Sequence, residues 1–144
     1  MRGVMLVEVL IAVVVFSVGV LSLVKLNSVA ARQSTEAEYR SLASLAVNDL
    51  VSRMWISPHD FEALQANFSS TTGKNLYTQW RDSTLIKAGL PNVTIKPPEV
   101  TVTRHPTVTG ASVVLIRVYW KIPGKDWVGD NEAPRQYTVT TLLR

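Results

Sequence analysis

Hydrophobic and polar positions divide this chain into three stretches. Residues 4–24, "VMLVEVLIAVVVFSVGVLSLV", are apolar almost throughout, and Glu8 is the one charge among them. A bilayer core takes about 20 apolar residues in helical form, so this stretch predicts a membrane-spanning helix. Lys25, Asn27 and Arg32 mark its exit, and beyond them the pattern turns amphipathic. Tyr39, Leu42, Ala43, Ala46, Val47, Leu50, Val51 and Met54 recur at steps of three and four, which lines up one face of a helix. Neither proline nor glycine interrupts residues 22–57, and Pro58 supplies the stop. A helix over residues 4–56 would run roughly 80 Å at 1.5 Å per residue, half in lipid and half outside it. Its apolar stripe is expected to lie against a globular part.

The middle stretch reads as short helices. Ser57 as cap, Pro58 in the first position and Asp60 three residues after the cap predict a helix start. Phe61, Leu64 and Phe68 then give it a short apolar face. "SSTTGKN" is a loop. "NLYTQWRDSTLIKAGLP" predicts a further helix with Trp80 inward, closed by Gly89 and Pro91. From Asn92 the period changes to two. "NVTIKP", "EVTVTRH", "SVVLIRVYWKIP" and "RQYTVTTLLR" alternate as strands do, separated at Pro97-Pro98, Thr109-Gly110 and Pro123-Gly124. The expectation is an α+β fold: a long N-terminal helix, membrane-spanning in its first half and amphipathic in its second, packed on an antiparallel sheet of about four strands.

Composition changes this picture little. The 144 residues are enough for one domain with a real core, and most of the apolar excess sits at the N-terminus. Absence of cysteine removes disulfides and thiolate metal sites. The net charge of +4 is uneven, with ten Lys/Arg against five Asp/Glu from Lys74 onward. That bias admits contact with DNA or a surface through Lys87, Lys96, Arg104, Arg117, Lys121 and Lys125, with Trp127 for stacking. Catalytic chemistry has no candidate: there is no thiol, no paired histidine, no phosphate-binding glycine loop and no nucleophile motif. His59 and His105 stand apart from each other and from any acidic cluster. The loop "GKDWVGDNEAP" gathers Asp126, Asp130 and Glu132 without calcium-loop spacing, and reads as a solvated turn. No cofactor or metal is expected. Asn67-Phe68-Ser69 and Asn92-Val93-Thr94 match the glycosylation sequon.

Glu8 is the informative residue. A carboxylate in the hydrocarbon layer costs on the order of 3 kcal/mol, so a membrane helix that keeps one needs a partner for it. Three readings compete. A signal peptide would be cut after Ser28-Val29-Ala30, but its apolar core exceeds the usual roughly 7–15 residues and gives Glu8 no purpose. A plain anchor tolerates Glu8 only as an accident. Cleavage after Gly3 would expose an α-amine on Val4, one helical turn from Glu8. A neighbouring helix shifted along its axis could then offer its own amine to this carboxylate and set the register between subunits.

The segment "GVMLVEVLIA", residues 3–12, resembles the prepilin motif of type IV pilins and type II secretion pseudopilins. The resemblance implies a leader of residues 1–3, cleavage by a membrane peptidase between Gly3 and Val4, N-methylation of Val4 and an assembly role for Glu8. Val4 stands where the family usually has Phe, and Arg2 is the leader's single basic residue. "YRSLASLAVNDLVSRM", "LYTQWRDSTLIKAGLPN", "VYWKIP" and "RQYTVTTLLR" are similar to the PilV-like minor pilins, the type IV pilus modification proteins, with Trp80, Leu90-Pro91 and Trp120 at matching points. On that resemblance the chain divides into leader 1–3, membrane and assembly helix 4–24, amphipathic helix 25–57, connecting region 58–91 and sheet 92–144. The implied fold is type IV pilin-like, and the implied function is a minor pilin or, alternatively, a secretion pseudopilin. Its partners would be other pilins and the prepilin peptidase. Its place would be the bacterial inner membrane with a periplasmic head, and then the pilus. Nucleic acid is the minor possibility.

Overall fold

The computed structural model describes residues 2–58, 60–72, 75–121 and 134–144. The element order is helix α1 (Arg2–Ile56), α2 (Phe61–Phe68), α3 (Leu76–Trp80) running into a π-helical turn (Arg81–Ile86), then strands β1 (Glu99–Arg104), β2 (Ser112–Trp120) and β3 (Arg135–Leu143). The layout is α+β, with a long apolar N-terminal helix and a small antiparallel sheet in the order β1-β2-β3. The chain forms two compact units, Met1–Ala37 and Glu38–Arg144.

In the first unit, α1 buries none of its most apolar window, whose mean hydropathy is 2.8. The helix is therefore long and apolar enough to cross a membrane. Ser17 and Ser22 turn their hydroxyls back onto the carbonyls of Val13 and Val18 at 2.7 and 2.8 Å, so neither exposes an unsatisfied donor.

In the second unit, α1 presents its apolar stripe to the core. Ala43, Ala46, Val47, Leu50 and Met54 are buried, with Tyr39, Leu42 and Val51 at the margin. Alternate residues of the strands complete the cluster: Val100 and Val102 of β1, Val114, Ile116, Val118 and Trp120 of β2, and Leu143 of β3. The register brings these together, pairing Val100 with Ile116, Val102 with Val114, and Ile116 with Val139. Side-chain bonds fix the helix to its neighbours. Trp80 donates its indole N–H to the Ala46 carbonyl at 2.9 Å, and Thr84 donates to Asp49 Oδ2 at 3.1 Å. Ser44 meets the Tyr137 hydroxyl at 3.3 Å. The outward edge of β1 is met by Ser70, whose N–H donates to the Val100 carbonyl at 3.0 Å while its Oγ accepts from the Val100 N–H at 3.2 Å.

Three features depart from the sequence reading. The described residues form three strands, not about four, because "NVTIKP" does not pair. Asn92 sits at φ 65°, and the N–H groups of Ile95 and Lys96 bond back to its carbonyl, so the segment folds into turns. The cap of α2 is Asp60, not Ser57: its extended backbone ends in a carboxylate that accepts from Ala63 N at 3.2 Å. The third helix also changes period, since α3 gives way to the π-helical turn before Gly89 closes it at φ 76°. Pro123-Gly124 lies outside the described residues.

Candidate functional site

The charge that stands out in the apolar segment lies near the N-terminus of α1. Gly3 is already helical in backbone, and Val4 is 73% exposed at the next position. Glu8 lies one turn further on, exposed, among Met5, Leu6, Val7, Val9 and Leu10, all more than half exposed. At a spacing of four, Val4 and Glu8 share a helix face, and Ala12 continues it. Between residues 4 and 24 the helix thus displays a single carboxylate on an apolar rod. Chemically it can offer one charged hydrogen-bond acceptor to a cationic partner at the same depth, and otherwise only apolar contact.

Among the described residues, Lys96 and Arg117 lie at one end of the strand β1 and Arg104 at the other. Arg117 and Glu99 face each other across β1 and β2, 3.5 Å apart. The Tyr119 hydroxyl donates to Glu99 Oε2 at 2.8 Å, and the Lys96 ammonium lies 4.1 Å over the Tyr119 ring. Burial, followed by the bond to Glu99, pushes the Tyr119 phenol above its ordinary value. Lys96 and Arg117 are therefore linked through Tyr119 and the Glu99 carboxylate. Arg104 stands at the opposite end of β1, ion-paired with Glu62 and 4.5 Å over the Phe61 ring. Lys87 is exposed after the π-helical turn, whereas Lys121 is only 5% exposed at the end of β2. Lys125 and Trp127 lie outside the described residues, as do His59, Asp126, Asp130 and Glu132. The Lys96–Tyr119–Glu99–Arg117 cluster escaped the sequence reading. Its signal was available only in the pairing register, which sets Glu99 opposite Arg117.

The chain matches no family model, no curated protein and no solved structure. Among the described residues no three His, Asp or Glu side chains converge as metal ligands would. A groove of about 230 Å³ opens between the first turn of α2 (Asp60, Phe61, Glu62) and the β1–β2 connection (Arg104, His105, Gly110). His105 Nδ1 accepts from the Val108 N–H at 3.0 Å, which ties the ring into that connection. The carboxylates of Asp60 and Glu62 are already engaged, by Ala63 N and by Arg104.

Proposed function

We propose that this protein is a minor pilin: a structural or priming subunit of a type IV pilus, held in the inner membrane as a prepilin and drawn into the fibre by its N-terminal helix. The observation that carries the reading is Glu8, one carboxylate on an exposed apolar helix otherwise suited to lipid. Removing Glu8 would make the segment a better anchor by about 3 kcal/mol, so its presence calls for a role other than anchoring. Processing after Gly3 supplies the partner as the Val4 amine, on the same or an adjoining helix. The second unit then serves as the head, with α1 as its spine. The packing of Ala43, Ala46, Val47, Leu50 and Met54 into the head core supports a shared helix of this kind. A DNA-binding head draws less support, since Arg104 and Arg117 are paired with carboxylates and Lys121 is buried.

Glu8→Gln and Glu8→Val test the reading. Both variants should reach the membrane in normal amounts, because neither weakens hydrophobic insertion. Both should leave few filaments on cells when the sheared fraction is quantified, and Val should rescue nothing over Gln. Normal filaments with loss of secreted protein would shift the assignment to a secretion pseudopilin. Full function in both assays with Glu8→Val would leave the carboxylate without a role.

A further inference from the structure

Residues 25–37 of α1 follow its lipid-suited part and bury almost no apolar surface. Residues 25–34 and 37 are exposed, Thr35 and Glu36 are half-buried, and the first fully buried residue of the helix is Ala43. Five of its thirteen residues favour a helix only weakly. Asn27, Ser28, Val29, Ser34 and Thr35 are weak helix formers, and the Thr35 hydroxyl competes for the Ala31 carbonyl at 3.1 Å. An isolated helix shorter than about 12–15 residues is marginal even with an alanine-rich sequence. Here helicity can only propagate in from the two ends. Local opening free energies follow buried apolar contact, and this stretch has almost none.

We propose that residues 25–37 form a locally opening neck, whose helical turns unfold and re-form while residues 46–54 stay packed. Arg32, in the middle of the neck and exposed, then becomes the point where an arginine-specific protease hydrolyses the chain first. Lys25 borders the apolar helix, and Arg40 stands beside Tyr39 and Leu42, which pack on the core. The inference does not depend on the fibre reading.

Amide hydrogen exchange and limited digestion by an arginine-specific protease, both on the full chain in detergent micelles, test it. Amides of residues 28–37 should exchange at least about a hundredfold faster than those of residues 46–54. The first cut should fall between Arg32 and Gln33. Combining Ser28→Ala, Ser34→Ala and Thr35→Ala should slow neck exchange about tenfold, through their summed gain in helix propensity, and leave residues 46–54 unchanged. Equal protection of the two stretches, a first cut elsewhere, or no response to the alanine variant would each overturn the proposal. Protection of residues 4–24 in the same experiment reports separately on the membrane reading.

Discussion

Trp80 offers the sharpest test of how the head is held together. Its side chain is fully buried, its indole N–H donates to the Ala46 carbonyl at 2.9 Å, and its ring lies 6.1 Å from that of Tyr77. Trp80→Phe keeps an aromatic ring but deletes the donor and part of the volume. The lost hydrogen bond contributes about 1 kcal/mol. The space left by the smaller ring adds about 1 kcal/mol more, at the usual cost per unit of residual cavity. The expected destabilisation is therefore about 2 kcal/mol, and Trp80→Ala should reach about 3–5 kcal/mol. Urea unfolding of a fragment covering residues 25–144, followed by circular dichroism, measures this. With a slope near 1.5 kcal/mol per molar, the Phe variant should unfold about 1.3 M earlier. A loss below about 0.5 kcal/mol, within the range of ordinary surface substitutions, would show that the Trp80–Ala46 link does not hold the π-helical turn to α1. Failure of the fragment to unfold cooperatively would refute the reading of the stripe from Tyr39 to Met54 as head core.

Four further outcomes are expected. Among the described residues Ser112 Oγ is buried with no hydrogen-bond partner, so Ser112→Ala should raise stability by about 1 kcal/mol in the same urea assay. Asp60→Ala should lower stability by about 1 kcal/mol, because it removes the acceptor that caps α2. Burial raises the Tyr77 phenol above its ordinary value of 10.0, which favours the neutral form in the fold. The resulting stability is complete below pH 10 and declines as the pH climbs from there through the raised folded value, so urea midpoints should fall above pH 10, less steeply in Tyr77→Phe. Intact-mass analysis of the membrane-extracted protein should place the mature N-terminus at Val4, and a chain beginning at Ala31 would restore the signal-peptide reading.

Much of this architecture was legible in periodicity. The stripe from Tyr39 to Met54 and the inward Trp80 were readable because burial on a helix face imposes steps of three and four. The strands containing Val114, Ile116 and Val118 were readable because burial on a sheet imposes steps of two. "NVTIKP" has the same alternation and does not form a strand. Left-handed backbone at Asn92 and the bonds returning to its carbonyl are local choices that alternation does not report. Ser57 and Asp60 are both good caps, and the choice between them depends on where α1 stops, which is a matter of tertiary packing. Glu8 was conspicuous because charge is rare in such a segment. The link from Lys96 through Tyr119 and Glu99 to Arg117 was invisible because it joins positions about 20 residues apart, which meet only when two strands align.

Ser70 has a consequence for crowding. In an antiparallel pair, alternate residues of an outer strand point their N–H and C=O groups away from the neighbour, and on β1 those of Val100 are taken by Ser70. Pro97 and Pro98 stand immediately upstream and have no N–H to give. Only the outward groups near Val102 and Arg104 remain along this rim, too short a run to template an incoming strand. Where many heads are held side by side at high local concentration, that rim resists edge-to-edge fusion. A single serine thus acts as a guard against aggregation on that side of the sheet.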